Sequence, residues 1–313
     1  MTAVDAGKAD PATLDGAVIT LDPLMQAGLA LVLAFLMLSV ALGLKPGHFR
    51  FIRTAPTRIV KGALVQIVGL PLVTMALILV LDPAPSIALG MVIVASCPGG
   101  NISNLLTVLA RGDAAYSVAL TALTSVLAVV LVPASILFWT GLYPPTAALV
   151  DSIHLDGAAF LARTAFTLGL PLALGIWLAA TRPVLAARLR RLFTPLALAT
   201  LLLVIVAGLA SHAPLLSRFS GVIIPLVVVH NGLAFALGAV SGWLLFRARE
   251  TRRALTFEVG IQNSGLGLVI LLDQFAGLGG AALTVAVWGI WHMIGGLIVA
   301  ALMRGRDRLA HRP

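Results

Sequence analysis

Long runs of apolar residues, separated by short polar segments, cover most of the 313-residue chain. A helix needs about 20 apolar residues to cross roughly 30 Å of hydrocarbon, and nine windows of that kind occur in the sequence. They lie at about 24–44, 59–81, 86–110, 115–140, 157–180, 194–213, 220–246, 252–275 and 280–303. The pattern therefore predicts an all-α membrane protein with nine transmembrane helices.

The ends of the chain differ from these windows. Residues 1–22 are polar and lack an apolar core, which predicts an exposed N-terminal tail rather than a signal peptide. Residues 305–313 are basic and predict a cytoplasmic tail. Overall composition agrees with a lipid environment, because 60% of the residues are hydrophobic and only 11% are charged. The single cysteine excludes an intrachain disulfide framework, and the scattered histidines do not predict a zinc site.

Basic residues cluster between the windows, and they predict the orientation. With the N-terminus outside, 18 of the 21 Lys and Arg residues fall on the cytoplasmic side, and Lys8, Arg163 and Arg218 fall outside. This distribution explains the net charge of +9 better than a nucleic-acid surface does, since no one segment concentrates it. We therefore expect a multi-pass protein of the cell inner membrane, with a cytoplasmic C-terminus and no nucleic-acid partner.

Two of the nine windows are poor helices. The third contains the run Pro98–Asn104, in which proline and two glycines oppose helix formation, and the eighth contains the polar, glycine-punctuated run Glu258–Gly265. Irregular backbone at membrane depth is tolerated where it is buried in protein or lines a cavity. Under the predicted topology the two windows run in opposite directions. They predict an inverted repeat with two crossed discontinuous helices around one site.

The residue types near these interruptions indicate what the site binds. Half-helices that begin at membrane depth direct N–H groups and positive dipole ends towards an anion. Oxygen-bearing side chains, which suit hard cations, cluster in the same windows. Ser117, Thr121, Thr124 and Ser125 form a stripe on one helix face, although such hydroxyl groups commonly bond to their own helix. Glu258 differs, because a carboxylate within a span costs roughly 2.5 to 3.5 kcal/mol on insertion scales.

Several motifs resemble those of the bile acid:sodium symporter family over roughly residues 24–303. They are Cys97–Asn104, Leu109–Asp113 followed by Ser117 and Thr121, Val229–Gly232, Glu258–Leu266 and Trp291–His292. The resemblance implies a core domain at about 59–140 and 220–303, which contains the crossed helices. It also implies a panel domain at about 24–44 and 157–213, within a transporter domain at 23–304. The two domains would move relative to each other in alternating access.

The resemblance also implies site residues. One Na⁺ site would use side chains of Ser103, Asn104, Ser117, Thr121 and Glu258. The other would use Gln66, Glu258 and Gln262 with backbone oxygens of Val259 and Ile261. The substrate would lie beside the crossing, near Asn101, Asn263 and His292. Na⁺ would be the coupling ion, no cofactor is implied, and the partners would be Na⁺, a small organic anion and the lipid bilayer.

Two departures from the family pattern concern the substrate. Asn101 stands where a threonine is common, and Met293 follows His292 where some bile-acid-binding members carry asparagine. We therefore expect a bile-acid-like, pantoate-like or keto-acid-like anion, and a monoanion smaller than a bile salt in particular. The polar segment at 1–22 stands where ten-span bacterial members of the family have an additional first helix, so we expect the nine-span arrangement of the animal members. No oligomeric state is predicted.

Three functions are compatible with the sequence. The first is a sodium-coupled symporter that imports a small organic anion, with two Na⁺ per substrate. The second is a sodium-independent or proton-linked carrier on the same fold. The third, a membrane enzyme or receptor scaffold, would need a soluble catalytic or signalling segment, and no predicted loop is long enough to fold as a domain. We therefore expect a transporter and not an enzyme.

Overall fold

A computed structural model describes residues 14–16, 23–44, 51–211, 213–275 and 277–310. Within these ranges the chain is helical, with one isolated pair of extended residues. The helices, in chain order, are α1 Pro23–Leu42, α2 Pro56–Leu81, α3 Pro85–Ser96, α4 Asn101–Leu109, α5 Ala114–Leu142, α6 Pro144–Ser152, α7 Gly157–Thr181, α8 Pro183–Ser211, α9 Ala213–Leu245, α10 Arg249–Gly260, α11 Ser264–Gln274 and α12 Gly279–Ala310.

Five of the described helices are long and apolar enough to cross a membrane. They are α2, α5, α7, the segment Ser217–Leu245 of α9 and the segment Gly279–Leu309 of α12. Helices α3 and α11 are apolar but shorter. The protein is thus an all-helical membrane protein, and the count of nine spans stays a prediction.

Proline begins α1, α2, α3, α6 and α8. At the first position of a helix a proline loses no intrahelical hydrogen bond, and its φ angle is already helical. Two boundaries differ from the sequence expectation. Helix α8 begins at Pro183, well before the apolar window that starts at 194, and the short helix α6 lies between two windows where none was predicted. The apolar windows do not include these two segments, because each segment begins with proline and contains polar residues.

Both interrupted windows are broken as predicted. The third divides into α3 and α4, which are separated by Cys97–Gly100, and the eighth divides into α10 and α11, which are separated by Ile261–Asn263. Helix α12 packs against α3, α9 and α11, while α10 packs against α4, α5 and α9. Helices α3, α10 and α11 are therefore largely enclosed by other helices, whereas α4 has exposed side chains at Asn101, Leu105 and Val108.

Helices α1, α7 and α8 pack against one another, and α7 also contacts α5. This grouping matches the segments expected to form a panel, whereas the division into two domains and their relative movement stay predictions. Most of the predicted tail at 1–22 lies outside the described residues, as do residues 311–313. Within 14–16, Leu14 is buried and the Asp15 carboxylate accepts a hydrogen bond of 2.9 Å from the backbone N–H of Ser86, at the start of α3.

Candidate functional site

The two breaks meet as a short antiparallel pair of extended segments. The Gly100 N–H donates to the Ile261 carbonyl at 3.1 Å, and the Asn263 N–H donates to the Pro98 carbonyl at 2.8 Å. These bonds satisfy backbone groups that the interruption of each helix leaves without an intrahelical partner. The two breaks are therefore held together by their own main chains at one point, the crossing, whereas the inverted repeat stays a prediction.

Gly99 explains why the first break needs glycine. A Cβ atom at this position would lie 2.9 Å from Glu258 Oε2 and 3.0 Å from Gln66 Nε2. Gly100 is also confined, since a Cβ there would lie 3.2 Å from the Gln262 carbonyl oxygen. The glycine pair thus permits close approach of the two broken helices, in addition to weakening the helix.

Glu258, near the end of α10, lies at the centre of the site and has no exposed surface. Its carboxylate accepts hydrogen bonds from the hydroxyl groups of Ser103 at 2.5 Å, Ser117 at 2.6 Å and Thr121 at 2.8 Å. Ser103 belongs to the half-helix α4, and Ser117 and Thr121 belong to α5. Among the described residues, no Lys, Arg or His forms an ion pair with this carboxylate.

Asn104 completes this cluster of oxygens. Its Oδ1 atom lies 2.9 Å from the Ser117 hydroxyl and 3.5 Å from the Thr121 hydroxyl. Thr107, in the last turn of α4, also belongs to the cluster, because its hydroxyl lies 3.3 Å from the Ser117 hydroxyl. All five predicted residues of the first cation set are therefore brought together. Thr107 was not predicted, and its position on the face of α4 shared with Ser103 and Asn104 is the signal that would have found it.

A second cluster lies on the other side of the same backbone. Gln66 donates from Nε2 to the Glu258 carbonyl at 3.0 Å and approaches Gln262 Oε1 at 3.4 Å, while Gln262 donates to the Val259 carbonyl at 2.8 Å. Gln66 and Gln262 are both buried, and Gln66 Oε1 has no hydrogen-bond partner among the described residues. The Ile261 carbonyl accepts from Gly100, and a carbonyl has a second lone pair.

Gln66 lies in a feature that sequence reasoning missed. Residues Val65–Gly69 form a π-helical turn within α2, and the side chain of Gln66 is buried there. Such single turns recur at functional sites in helices. Asn231 was also left unassigned, and its Nδ2 group donates to the Gly260 carbonyl at 2.8 Å, at the end of α10. Adjacent His230 is buried with Nε2 2.7 Å from the Thr74 hydroxyl.

The three predicted substrate residues lie on three different elements, and Asn101 and Asn263 adjoin the two breaks. Asn101 is exposed at the first position of α4, and Asn263 caps α11 by accepting the Leu266 N–H at 3.1 Å. His292 on α12 is buried and bonds through Nδ1 to the Trp288 carbonyl at 2.9 Å. Gly296, one turn further along α12, faces Leu106 and Ile261, so this helix reaches both broken segments.

Two helix N-termini make part of the site electropositive. Helices α4 and α11 both begin at the crossing, so the positive ends of two helix dipoles point there. No side chain among the described residues caps α4, whereas Asn263 caps α11. The site can therefore hold a negative group at the free N–H groups of α4 and, in the oxygen clusters around Glu258, hard cations.

Comparison with known proteins assigns the family. A sequence profile of the Sodium Bile acid symporter family matches residues 30–219. The chain is 27% identical over 272 residues to the uncharacterized sodium-dependent transporter YocS of Bacillus subtilis, covering 87% of this chain and 81% of that protein. It is 29% identical to the probable sodium/metabolite cotransporter BASS1, chloroplastic, of Arabidopsis thaliana, of which it spans 65%, and 87% of this chain is covered.

The human ileal sodium/bile acid cotransporter is a more distant relative. It is 26% identical over 260 residues, which cover 82% of this chain and 72% of that protein. The family profile ends before the second broken window, but the alignments to these relatives cover more than four fifths of the chain. The chain therefore belongs to the Sodium Bile acid symporter family and is a membrane transporter rather than an enzyme.

Proposed function

We propose that the protein is a sodium-coupled symporter that imports a small organic anion. The observation that carries this proposal is the environment of Glu258, a fully buried carboxylate surrounded by hydroxyl and amide oxygens. A buried charge requires a compensating partner. Within the described residues no basic side chain supplies one, so an exchangeable cation is the partner that this set of oxygens fits.

The cation is assigned two positions that share Glu258. The first uses Ser103, Asn104, Ser117 and Thr121. Their three hydroxyl groups contact the carboxylate, and the Asn104 amide oxygen lies 2.9 Å from the Ser117 hydroxyl. The second uses Gln66 and Gln262 with the backbone oxygens of Val259 and Ile261. The unpartnered Oε1 atom of Gln66 supports the second position, because a buried oxygen without a donor is otherwise unfavourable.

The substrate is assigned to the side of the crossing where Asn101, Asn263 and His292 lie. A carbonyl oxygen only accepts, so His292 Nδ1 donates to Trp288, and the neutral ring presents Nε2 as an acceptor. A substrate with a carboxylate for the α4 terminus and a hydroxyl for His292 would match both groups. This argument supports a small pantoate-like hydroxy acid, and the printed names of the relatives, which include metabolite and bile acid cotransporters, support an organic substrate more generally.

The transport cycle is assigned to a movement between two groups of helices. Helices α1, α7 and α8 would form the panel, and the remaining long helices would form the core that carries the crossing. We place the protein in the inner membrane with nine spans, the N-terminus outside and the C-terminus in the cytoplasm, on the basis of the Lys and Arg distribution. A C-terminal reporter that is active only in the periplasm would contradict this orientation.

A thermal-shift screen is the first experiment for this function. The purified protein is heated with pantoate, keto acids or a bile salt, each in sodium chloride and in choline chloride. A ligand raises stability only through the state that it binds, so the true substrate should raise the unfolding midpoint more in sodium than in choline. A substrate that stabilises equally in both salts would contradict sodium coupling, and a bile salt as the tightest ligand would contradict the small monoanion.

Uptake into proteoliposomes tests the coupling directly. Two Na⁺ with one monoanion move one net positive charge, which is worth roughly 2.3 kcal/mol per 100 mV of membrane potential. An inside-negative potential, set with potassium and valinomycin, should therefore accelerate sodium-driven uptake. Uptake that requires sodium but ignores the potential would reject this stoichiometry and leave sodium coupling in place.

A proton-linked carrier is the second candidate, and the same carboxylate motivates it. A buried Glu258 without a basic partner can be neutralised by a proton as well as by a sodium ion. In that case an inward proton gradient would drive uptake in sodium-free buffer, and sodium would not stimulate it. Sodium-driven uptake that persists when a protonophore collapses the proton gradient would exclude this candidate.

A further inference from the structure

A cavity of about 600 Å³ lies among the ends of α1, α7 and α8, within the group of helices assigned to the panel and apart from the crossing. Its apolar wall includes Leu42, Leu44, Ala179 and Ala186, and its basic side is formed by Arg190 and Arg191. Leu42, Leu44 and Ala186 are buried, whereas both arginines are exposed. One cavity therefore combines a hydrocarbon-like wall with two positive charges at its solvent-exposed side.

Packing fixes where one of these charges lies. The Arg190 guanidinium lies so close to Gly43 that a Cβ atom there would be 2.9 Å from the Arg190 Cζ atom. Beside it, the hydroxyl groups of Ser39 and Thr194 lie 2.6 Å apart and join α1 to α8. The absence of a side chain at residue 43 thus lets the guanidinium fold over the end of α1.

The surroundings of the cavity have the character of a membrane interface. On α7, Trp177 is 62% exposed, two residues before Ala179 in the cavity wall. Near the start of α8, Val184 and Leu192 are 67% and 61% exposed. They lie in a segment that also contains Arg188, Arg190 and Arg191. Tryptophan and exposed aliphatic side chains mixed with arginines are typical of a segment at the depth of lipid headgroups.

We propose that this cavity binds an anionic phospholipid. Two guanidinium groups match a phosphate diester, because each can donate paired hydrogen bonds in a fixed geometry. The apolar wall that continues from them fits the first part of an acyl chain. A zwitterionic lipid satisfies the apolar wall equally well, but its ammonium group opposes the two arginines. Under the orientation assigned above, the lipid belongs to the cytoplasmic leaflet.

Lipid-dependent stability of the full-length protein tests this site. Delipidated protein in detergent is titrated with phosphatidylglycerol or with phosphatidylcholine of the same acyl chains, and the unfolding midpoint and bound lipid, by native mass spectrometry, are measured. Arg190→Gln with Arg191→Gln should weaken phosphatidylglycerol binding at least about tenfold, which corresponds to 1.4 kcal/mol. The matched control is Arg182→Gln with Arg188→Gln, which removes the same charge from two exposed residues that do not line the cavity.

A third variant fills the cavity and leaves its charges unchanged. Ala187→Phe adds a large side chain at an exposed residue that lines the cavity, and both arginines remain. It should also lose the preference for phosphatidylglycerol. The proposal is overturned if both double variants lose binding equally, which would indicate general surface charge. It is also overturned if soluble glycerol 1-phosphate reproduces the full shift of wild type, which would indicate a site for free phosphate esters.

Discussion

Glu258 and Asp307 are both buried carboxylates on core helices, and their neighbours differ. Glu258 has no exposed surface and accepts hydrogen bonds from three hydroxyl groups. Asp307, near the end of α12, is 5% exposed and is held by Arg253 through bonds of 2.9 and 2.5 Å, with Arg249 at 2.5 Å. One carboxylate has resident cations, and the other has only neutral donors among the described residues.

The difference matters because α10 carries both Glu258 and Arg253, the partner of Asp307. Arg253 and Glu258 lie on α10, five positions apart in sequence. Arg253 also donates to the Ala110 carbonyl at 2.6 Å, so the ion pair ties α12 and the end of α4 to α10. Arg253 and Arg249 neutralise Asp307 within the protein, whereas Glu258 has no resident cation among the described residues and can pair with an exchangeable one. The same helix therefore combines an anchor and a proposed exchange site.

The largest expected effect is the loss of sodium-driven uptake in Glu258→Gln. Glutamine keeps the shape and one carbonyl oxygen but removes the charge shared by both proposed cation positions, so sodium affinity should fall at least about tenfold. Sodium-dependent thermal shift and proteoliposome uptake measure this. Glu250→Gln is the matched control, since Glu250 is exposed on the same helix. A folded Glu258→Gln protein with wild-type sodium affinity would show that the assigned positions are wrong.

Asp307→Asn should lower stability and leave sodium affinity nearly unchanged. Removing one partner leaves the buried Arg253 guanidinium without its counter-ion, so the unfolding midpoint should fall by about 5 °C. The sodium affinity of the folded fraction should stay within about twofold of wild type. Arg249→Gln, which removes a half-exposed partner of the same carboxylate, serves as the control with a smaller shift. Unchanged stability combined with lost sodium affinity would erase the distinction between the two carboxylates.

Single substitutions should weaken the two proposed cation positions one at a time. Thr121→Ala removes a ligand of the first and Gln66→Ala removes a ligand of the second, so each should weaken one sodium-binding step about tenfold. The sodium dependence of uptake should become less cooperative in both variants. Thr124→Ala is the control, because the buried Thr124 hydroxyl bonds to the Leu120 carbonyl of its own helix. An equal loss of affinity in Thr124→Ala would mean that helix packing, and not ion ligation, is measured.

The smallest effect is expected for Arg163→Ala. This residue pairs with Asp273 at 3.1 Å, but its side chain is 63% exposed, and exposed ion pairs contribute less than about 1 kcal/mol. The unfolding midpoint and the sodium-driven uptake should both stay close to wild type. Destabilisation as large as that of Asp307→Asn would show that burial does not separate the two kinds of ion pair in this protein.

Local sequence signals were sufficient for the helical class and the two broken windows, and they singled out Glu258 before its neighbours were known. Proline and glycine oppose a helix wherever they occur, and a carboxylate within an apolar window stands out without any knowledge of its neighbours. The residues of the two proposed cation positions were predicted from family motifs. The structure brings these residues into two clusters around Glu258. Their role as sodium ligands stays a prediction.

Tertiary structure decided which polar groups meet. Of the hydroxyl stripe on α5, Ser117 and Thr121 reach Glu258, whereas Thr124 bonds to its own helix. Arg253, which the sequence presents as one more cytoplasmic charge, is 6% exposed and paired with Asp307. Gln66 and Glu258 are 192 residues apart, and Gln66 reaches the Glu258 carbonyl from a π-helical turn. Periodicity and propensity describe neighbours along the chain, whereas these contacts depend on how distant helices pack.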